Sequence, residues 1–182
     1  LGAVTESVGT AQFLAQILSD RVMIQFIPVL VFLTSAAIAF ATGTSWGTMA
    51  ILIPLVIPLV VSLGGGVDFD GGAHYTVLLG SISSVLAGAI FGDHCSPISD
   101  TTVLSSMASA CDHVDHVRTQ LPYALLVAVV GMAIGDIPTA FGFPNWISLV
   151  TGAVLLWAFL RIAGTPVEEL VKGEAAEPVP AD

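Results

Sequence analysis

The chain has 182 residues, of which 55% are hydrophobic and 10% charged, and its mean hydropathy is +0.93. A soluble domain carries about 25% charged residues, and the apolar runs here reach the roughly 20 residues a bilayer-spanning helix needs, so the chain reads as an integral membrane protein. Fourteen acidic residues against four basic ones give a net charge of −10, which argues against a nucleic-acid binder, because that role needs basic surface.

The expected fold class is all-α integral membrane, a transmembrane helix bundle with discontinuous or re-entrant helices. Residues 1–20 are mildly amphipathic, carry Glu6, and read as the end of a helix or re-entrant element. With no starting Met and no basic leader, the chain reads as the C-terminal part of a longer membrane protein. Asp20-Arg21 marks an interface. Residues 22–42 form the first span, with Pro28 expected to kink it, a distortion that membrane helices tolerate. Gly43–Thr48 is a Gly-bounded polar break. Residues 49–63, with Pro54 and Pro58, are short for a span, so that helix must tilt or reach back into the break from about residue 48.

The loop 64–73 holds five glycines together with Asp68 and Asp70, a spacing that resembles a calcium loop without its remaining ligands. Residues 74–91 are apolar and carry small residues (Gly80, Ser81, Ser83, Ser84, Ala87, Gly88, Ala89), which let helices approach closely in lipid. Then follows the densest polar stretch of the chain, Gly92-Asp93-His94-Cys95-Ser96-Pro97-Ile98-Ser99-Asp100-Thr101-Thr102. Residues 103–111 are too short to span at 1.5 Å per residue. The segment 74–92 with 101–111 therefore reads as one broken or re-entrant helix. Residues 112–119 read as a solvated loop holding His113 and His116. Residues 121–140 and 144–162 are the last two spans, the first with Asp136 near its end and the second with Trp146 and Trp157 as interfacial anchors. The tail 163–182 reads as disordered and acidic. Arg118, Arg161 and Lys172 flank a two-span hairpin and place both its ends on the cytoplasmic side, and Arg21 fits the same side.

A charge at the bilayer centre costs roughly 2.5–3.5 kcal/mol, so buried carboxylates there are expected to serve a purpose. A carboxylate that binds either a proton or a sodium ion is the minimal chemistry of an antiporter. Hard cations take oxygen ligands. Asp93 and Asp100, the hydroxyls of Ser96, Ser99, Thr101 and Thr102, and carbonyls freed near Pro97 supply them. The break at Thr42–Thr48 adds Thr44 and Ser45, and paired broken helices point to a transport site. The plainer readings stand beside this one. A membrane Ser or Thr often only bonds back to the i−4 carbonyl, Asp93 can cap a helix, His94 can be structural, and Cys95 can be a small apolar filler. Cys95 and Cys111 have no CxxC spacing.

Gly43–Leu59 (GTSWGTMAILIPLVIPL) and Gly88–Leu125 (GAIFGDHCSPISDTTVLSSMASACDHVDHVRTQLPYAL) resemble the C-terminal region of the NhaC-type sodium/proton antiporter family. The resemblance runs to about residue 160. It implies exchange of Na⁺ for H⁺ by a multi-pass protein of the cell membrane, built as one half of an inverted-repeat ion-transporter fold. It implies no cofactor, since Na⁺ and H⁺ are cargo, and it carries over Asp93, Ser96, Asp100, Thr101, Thr102, Thr44 and Ser45. The lipid bilayer and the N-terminal half are the expected partners, with a second copy of the chain a further candidate. Some members of such families exchange organic acids or amino acids, as malate for lactate, and a larger cavity near Trp46 and residues 80–89 would serve that alternative. A remote alternative is an intramembrane hydrolase using Gly92-Asp93 and Gly135-Asp136, or a zinc enzyme using Asp93, His94, Cys95 and the 111–116 cluster. Neither has a GxGD or HExxH pattern.

Overall fold

A computed structural model describes residues 4, 7–19, 22–64 and 72–164. Glu6, Asp20-Arg21, the Asp68/Asp70 loop and the tail from residue 165, including Lys172, lie outside the described residues. Within them the chain is helical, with no strand. The helices are α1 (Thr10–Ser19), α2 (Ile27–Thr42, entered through a 3₁₀ turn at Ile24–Phe26), α3 (Ser45–Leu63), α4 (Ala73–Cys95), α5 (Asp100–Ala108), α6 (His113–Val130, continued by a π-helical turn at Gly131–Asp136 and a last turn at Ile137–Ala140), and α7 (Asn145–Ala163). Five of these segments are long and apolar enough to cross a membrane: Ile24–Thr42, Ser45–Leu63, Ala73–Cys95, His113–Ala140 and Asn145–Ala163.

Pro28 does not kink a span. It occupies the first turn of α2, where its missing N–H has no intrahelical partner to lose. The break at 43–48 is shorter than its polar sequence implies. Gly43 ends α2 in the left-handed conformation at φ 67°, and Thr44 caps α3 by accepting from the Gly47 N–H, so Ser45–Thr48 are already helical. The second interruption is likewise confined to residues 96–99. Asp93, His94 and Cys95 form the last turn of α4, and Ser99 caps α5. Residues 113–119 are not a loop. Asp112 caps α6 by accepting from the Val114 and Asp115 N–H groups, and the helix runs on from there.

Helices α2 and α4 form the most extensive packing in the molecule. The reason is the run Gly88-Ala89-Ile90-Phe91-Gly92. Gly88 lies against the Phe32 carbonyl and Gly92 against the Ala36 carbonyl, so closely that a Cβ at either position collides with backbone. Such small-residue seams are how helices associate in lipid, where apolar burial alone offers little drive. Ser35 adds an interhelical bond, donating to the Val85 carbonyl at 2.7 Å in a buried setting. Helix α3 packs on α4 and α1, and Ile27, Val31, Leu52, Val56, Val60, Val77, Leu78 and Val85 form the apolar centre.

The α6–α7 pair stands apart from this core. Only 6% of the span window of each is buried, against 44% for α4. Gly152 sits against Val130, so α7 folds back along α6. Arg118 and Arg161 thereby fall at one end of the hairpin, the Arg161 guanidinium 5.5 Å from the Trp157 ring centroid.

Candidate functional site

The two helix interruptions meet. The left-handed Gly43 faces the Ile98 carbonyl and leaves no room for a Cβ there. Ser96 donates to the Phe40 carbonyl at 2.8 Å, joining the second interruption to the last turn of α2. Two helix C-termini, of α2 and α4, and two helix N-termini, of α3 and α5, therefore converge. C-terminal carbonyls attract cations and N-terminal amides attract anions, so one small volume offers both kinds of partner.

Asp93 occupies the centre and is 7% exposed. Its Oδ1 accepts from Ser99 Oγ at 2.7 Å. Its Oδ2 accepts from Ser45 Oγ at 3.2 Å and from Thr101 Oγ1 at 3.4 Å. The Ser99 and Thr101 hydroxyls lie 2.7 Å apart. The three hydroxyls come from α3, from the residue before α5 and from the first turn of α5, so both interruptions contribute. A hydroxyl has two lone pairs besides its proton. The same three groups that donate to the carboxylate can turn their oxygens toward a small cation, which then has carboxylate and hydroxyl ligands without further movement of backbone.

The remaining sequence candidates fall into two groups. Ser96 and Thr102 are buried, but their hydroxyls bond to backbone, Ser96 to Phe40 and Thr102 to the His94 carbonyl at 3.4 Å. They hold the interruption in shape. Thr44 is exposed and caps α3. Asp100 is exposed in the first turn of α5, so the two aspartates expected to act together occupy different environments. Cys95 is buried, 3% exposed. Trp46 is 82% exposed.

Sequence reading missed the brace behind the site. His113 Nε2 lies 2.7 Å from the Pro97 carbonyl and its Nδ1 lies 3.1 Å from Ser106 Oγ. His116 Nε2 pairs with Ser105 Oγ at 3.1 Å, and Gln120 Nε2 donates to the His94 carbonyl at 2.9 Å. One face of α6 thus holds α5 and the 96–99 interruption. The spacing of His113, His116 and Gln120 at three and four residues was the available signal, since such residues share a helical face. Among the described residues no three His, Cys, Asp or Glu side chains converge to hold a metal, so the zinc alternative has no constellation here. Asp93 and Asp136 do not form a hydrolytic pair either. Asp136 adjoins Ser84, and nine residues of α4 separate Ser84 from Asp93, about 13 Å at 1.5 Å per residue.

Several known proteins are similar to this chain. A protein of unstated function from Haemophilus influenzae is 42% identical over 147 residues, covering 81% of this chain and 26% of its own. An arginine/ornithine antiporter from Halobacterium salinarum is 35% identical over 60% of this chain and 20% of its own. A malate-2H⁺/Na⁺-lactate antiporter from Bacillus subtilis is 36% identical over 52% of this chain and 19% of its own. The chain thus spans about a quarter or less of these relatives. No solved structure matches it. Residues 1–137 match the Na⁺/H⁺ antiporter family, and on that match the chain, a multi-pass membrane protein, belongs to the Na⁺/H⁺ antiporter family.

Proposed function

We propose that this chain carries an ion site of a secondary antiporter that exchanges Na⁺ for H⁺, with Asp93 as the exchanging carboxylate. The observation that carries this reading is the shell of Ser45, Ser99 and Thr101 hydroxyls around one buried carboxylate at the meeting of two helix interruptions. Sodium binds when Asp93 is ionised and the hydroxyl oxygens face it. Protonation of Asp93 removes the charge that holds the ion and releases it.

Within this reading the chain is of the NhaC type and forms one half of an inverted-repeat fold, in the plasma membrane, with a copy of itself as a further partner. Ser96, Thr102 and Thr44 shape the site, and Asp100, at the mouth of α5, attracts cations to it. The test is sodium-driven proton flux in vesicles containing the full-length protein. Asp93→Asn abolishes it on this reading, and undiminished flux in that variant refutes the role given to Asp93.

A second reading rests on the names of two relatives, which exchange amino acids or organic acids for one another. Here the Asp93 site binds the coupling ion and an organic solute occupies the groove between α4, α6 and α7. Counterflow of labelled arginine, malate and lactate, measured with and without sodium, separates the two readings.

A further inference from the structure

Asp136 lies toward the far end of the His113–Ala140 span and takes no part in the Asp93 shell. Its position has a local cause. Pro138 lacks an N–H and its ring crowds the carbonyl four residues back. The helix relieves that conflict by widening into the π turn Gly131–Asp136, in which the Ile137 N–H reaches back five residues to the Met132 carbonyl. Such turns interrupt a helix where a side chain must be re-aimed, and they occur frequently at functional sites.

Two cavities meet at this carboxylate. One, of about 860 Å³, lies between α4, the π turn and α7 and is lined by Asp136, Thr76, Ser83, Thr139, Asn145 and Ser148 among apolar residues. The other, of about 680 Å³, is lined by Asp136 and by Phe32, Phe91, His94, Gln120 and Tyr123. Asp136 borders both, and the second reaches His94, the neighbour of Asp93 in the last turn of α4. Beside Asp136 lies Ser84, 1% exposed, whose hydroxyl is close to the carboxylate yet outside hydrogen-bond geometry and has no other partner.

Among the described residues no Lys or Arg lines either cavity at Asp136. Helix α4 contributes Tyr75 and His94, and α6 contributes Tyr123. Helix α7 contributes Asn145 and Ser148, and α2 contributes Phe32, none of which titrates. The described basic residues, Arg118 and Arg161, are exposed and line neither cavity. Of the oxygen-bearing side chains here only the Ser84 hydroxyl is held against the carboxylate, fewer ligands than a sodium ion takes but enough for a proton. Ionisable groups of this kind inside membrane spans serve as proton relays.

We propose that Asp136 is a proton-relay carboxylate at the junction of the two cavities, taking a proton from water in the larger one and passing it through the smaller one toward His94 and the Asp93 site. The proton moves from water oxygen to the Asp136 carboxylate and from there to water in the smaller cavity, so charge is conserved at each step and no bond other than O–H changes. Ser84, the hydroxyl beside the carboxylate, orients it. This extends the antiport reading, since it names the route of the proton that Asp93 exchanges for sodium.

The test uses the full-length protein in vesicles with an internal pH dye and labelled sodium. In Asp136→Asn, sodium-driven proton flux falls roughly a hundredfold, the scale on which positioned proton-transfer groups act, while sodium–sodium exchange persists. Asp136→Glu restores the flux with a displaced pH profile, and Ser84→Ala displaces the profile without abolishing flux. Unaltered proton flux and pH profile in Asp136→Asn overturn the proposal. So does equal loss of both exchanges that Asp136→Glu does not rescue. Wild-type protein without sodium-driven flux refutes the antiport reading alone. The relay is then decided by infrared difference spectra between acid and alkaline samples, in which the carboxylic C=O band is absent from Asp136→Asn if the relay is right and unchanged if it is wrong.

Discussion

Asp93 and Asp136 are both aspartates in apolar helices, each preceded by glycine, and their surroundings differ in kind. Asp93 ends a helix, is nearly closed off, and is met by three hydroxyls from two interruptions. Asp136 sits inside a continuous helix, on a π turn, with one hydroxyl neighbour and two cavities at its side. A cation as large as sodium needs many oxygens at fixed distances, and only the meeting of several helix ends gathers them. A proton needs one oxygen and access to water, which a groove between helices provides. The proposed division of labour rests on ligand count and access.

Four substitutions test the contrast between the two carboxylates and their surroundings. The largest effect belongs to Asp93→Asn, which removes the charge and leaves sodium-driven flux at the level of empty vesicles. Next is Gly92→Val, one residue away and on the opposite function. The added side chain meets the Ala36 carbonyl, and overpacking of this kind costs roughly 1–3 kcal/mol, read as a lowered melting temperature in detergent. If melting is unchanged, the α2–α4 seam is looser than described. Ser99→Ala deletes the 2.7 Å donor to Asp93 and weakens sodium binding about tenfold, or about 1.4 kcal/mol, measured as the sodium concentration for half-maximal flux. Unchanged sodium dependence removes Ser99 from the shell. The smallest effect is expected at Asp100→Asn. That carboxylate is exposed, where charge is screened by salt, so the change is within about twofold and fades at high ionic strength. A loss as large as that of Asp93→Asn restores the paired-aspartate site that sequence alone implied.

The contrast between the α2–α4 core and the α6–α7 hairpin carries a related lesson. Both are apolar over the length of a bilayer, yet only the first is buried by this chain. The difference lies in small residues: Gly88 and Gly92 let backbones touch, whereas α6 and α7 present Leu125, Val127, Val129, Leu149, Val154 and Leu155 outward.

The spans, the polar cluster at 92–102 and its companion at 43–48 were legible because hydropathy and helix length are properties of consecutive residues. So was the convergence of hydroxyls on a carboxylate as a type of site. The ends of the helices were less so. Ser45–Thr48 and Asp93–Cys95 are polar yet helical, because a cap at Thr44 and a seam at Gly92 decide where a helix stops, and polarity does not. Read as a loop, residues 113–119 concealed a brace whose partners, Pro97, Ser105 and Ser106, are contacts with other elements.

By itself the sequence determined that this is a membrane helix bundle with two interrupted elements rich in oxygen ligands, since the bilayer constrains composition and length locally. Only the tertiary structure decided which carboxylate each hydroxyl serves. It placed Asp93 within reach of Ser45, forty-eight positions away, left Asp100 outside, and put Asp136 beside Ser84. Those pairings depend on how closely α2 and α4 approach and on how α6 folds back across them, and side-chain distances between separate helices are not encoded in the spacing of either one.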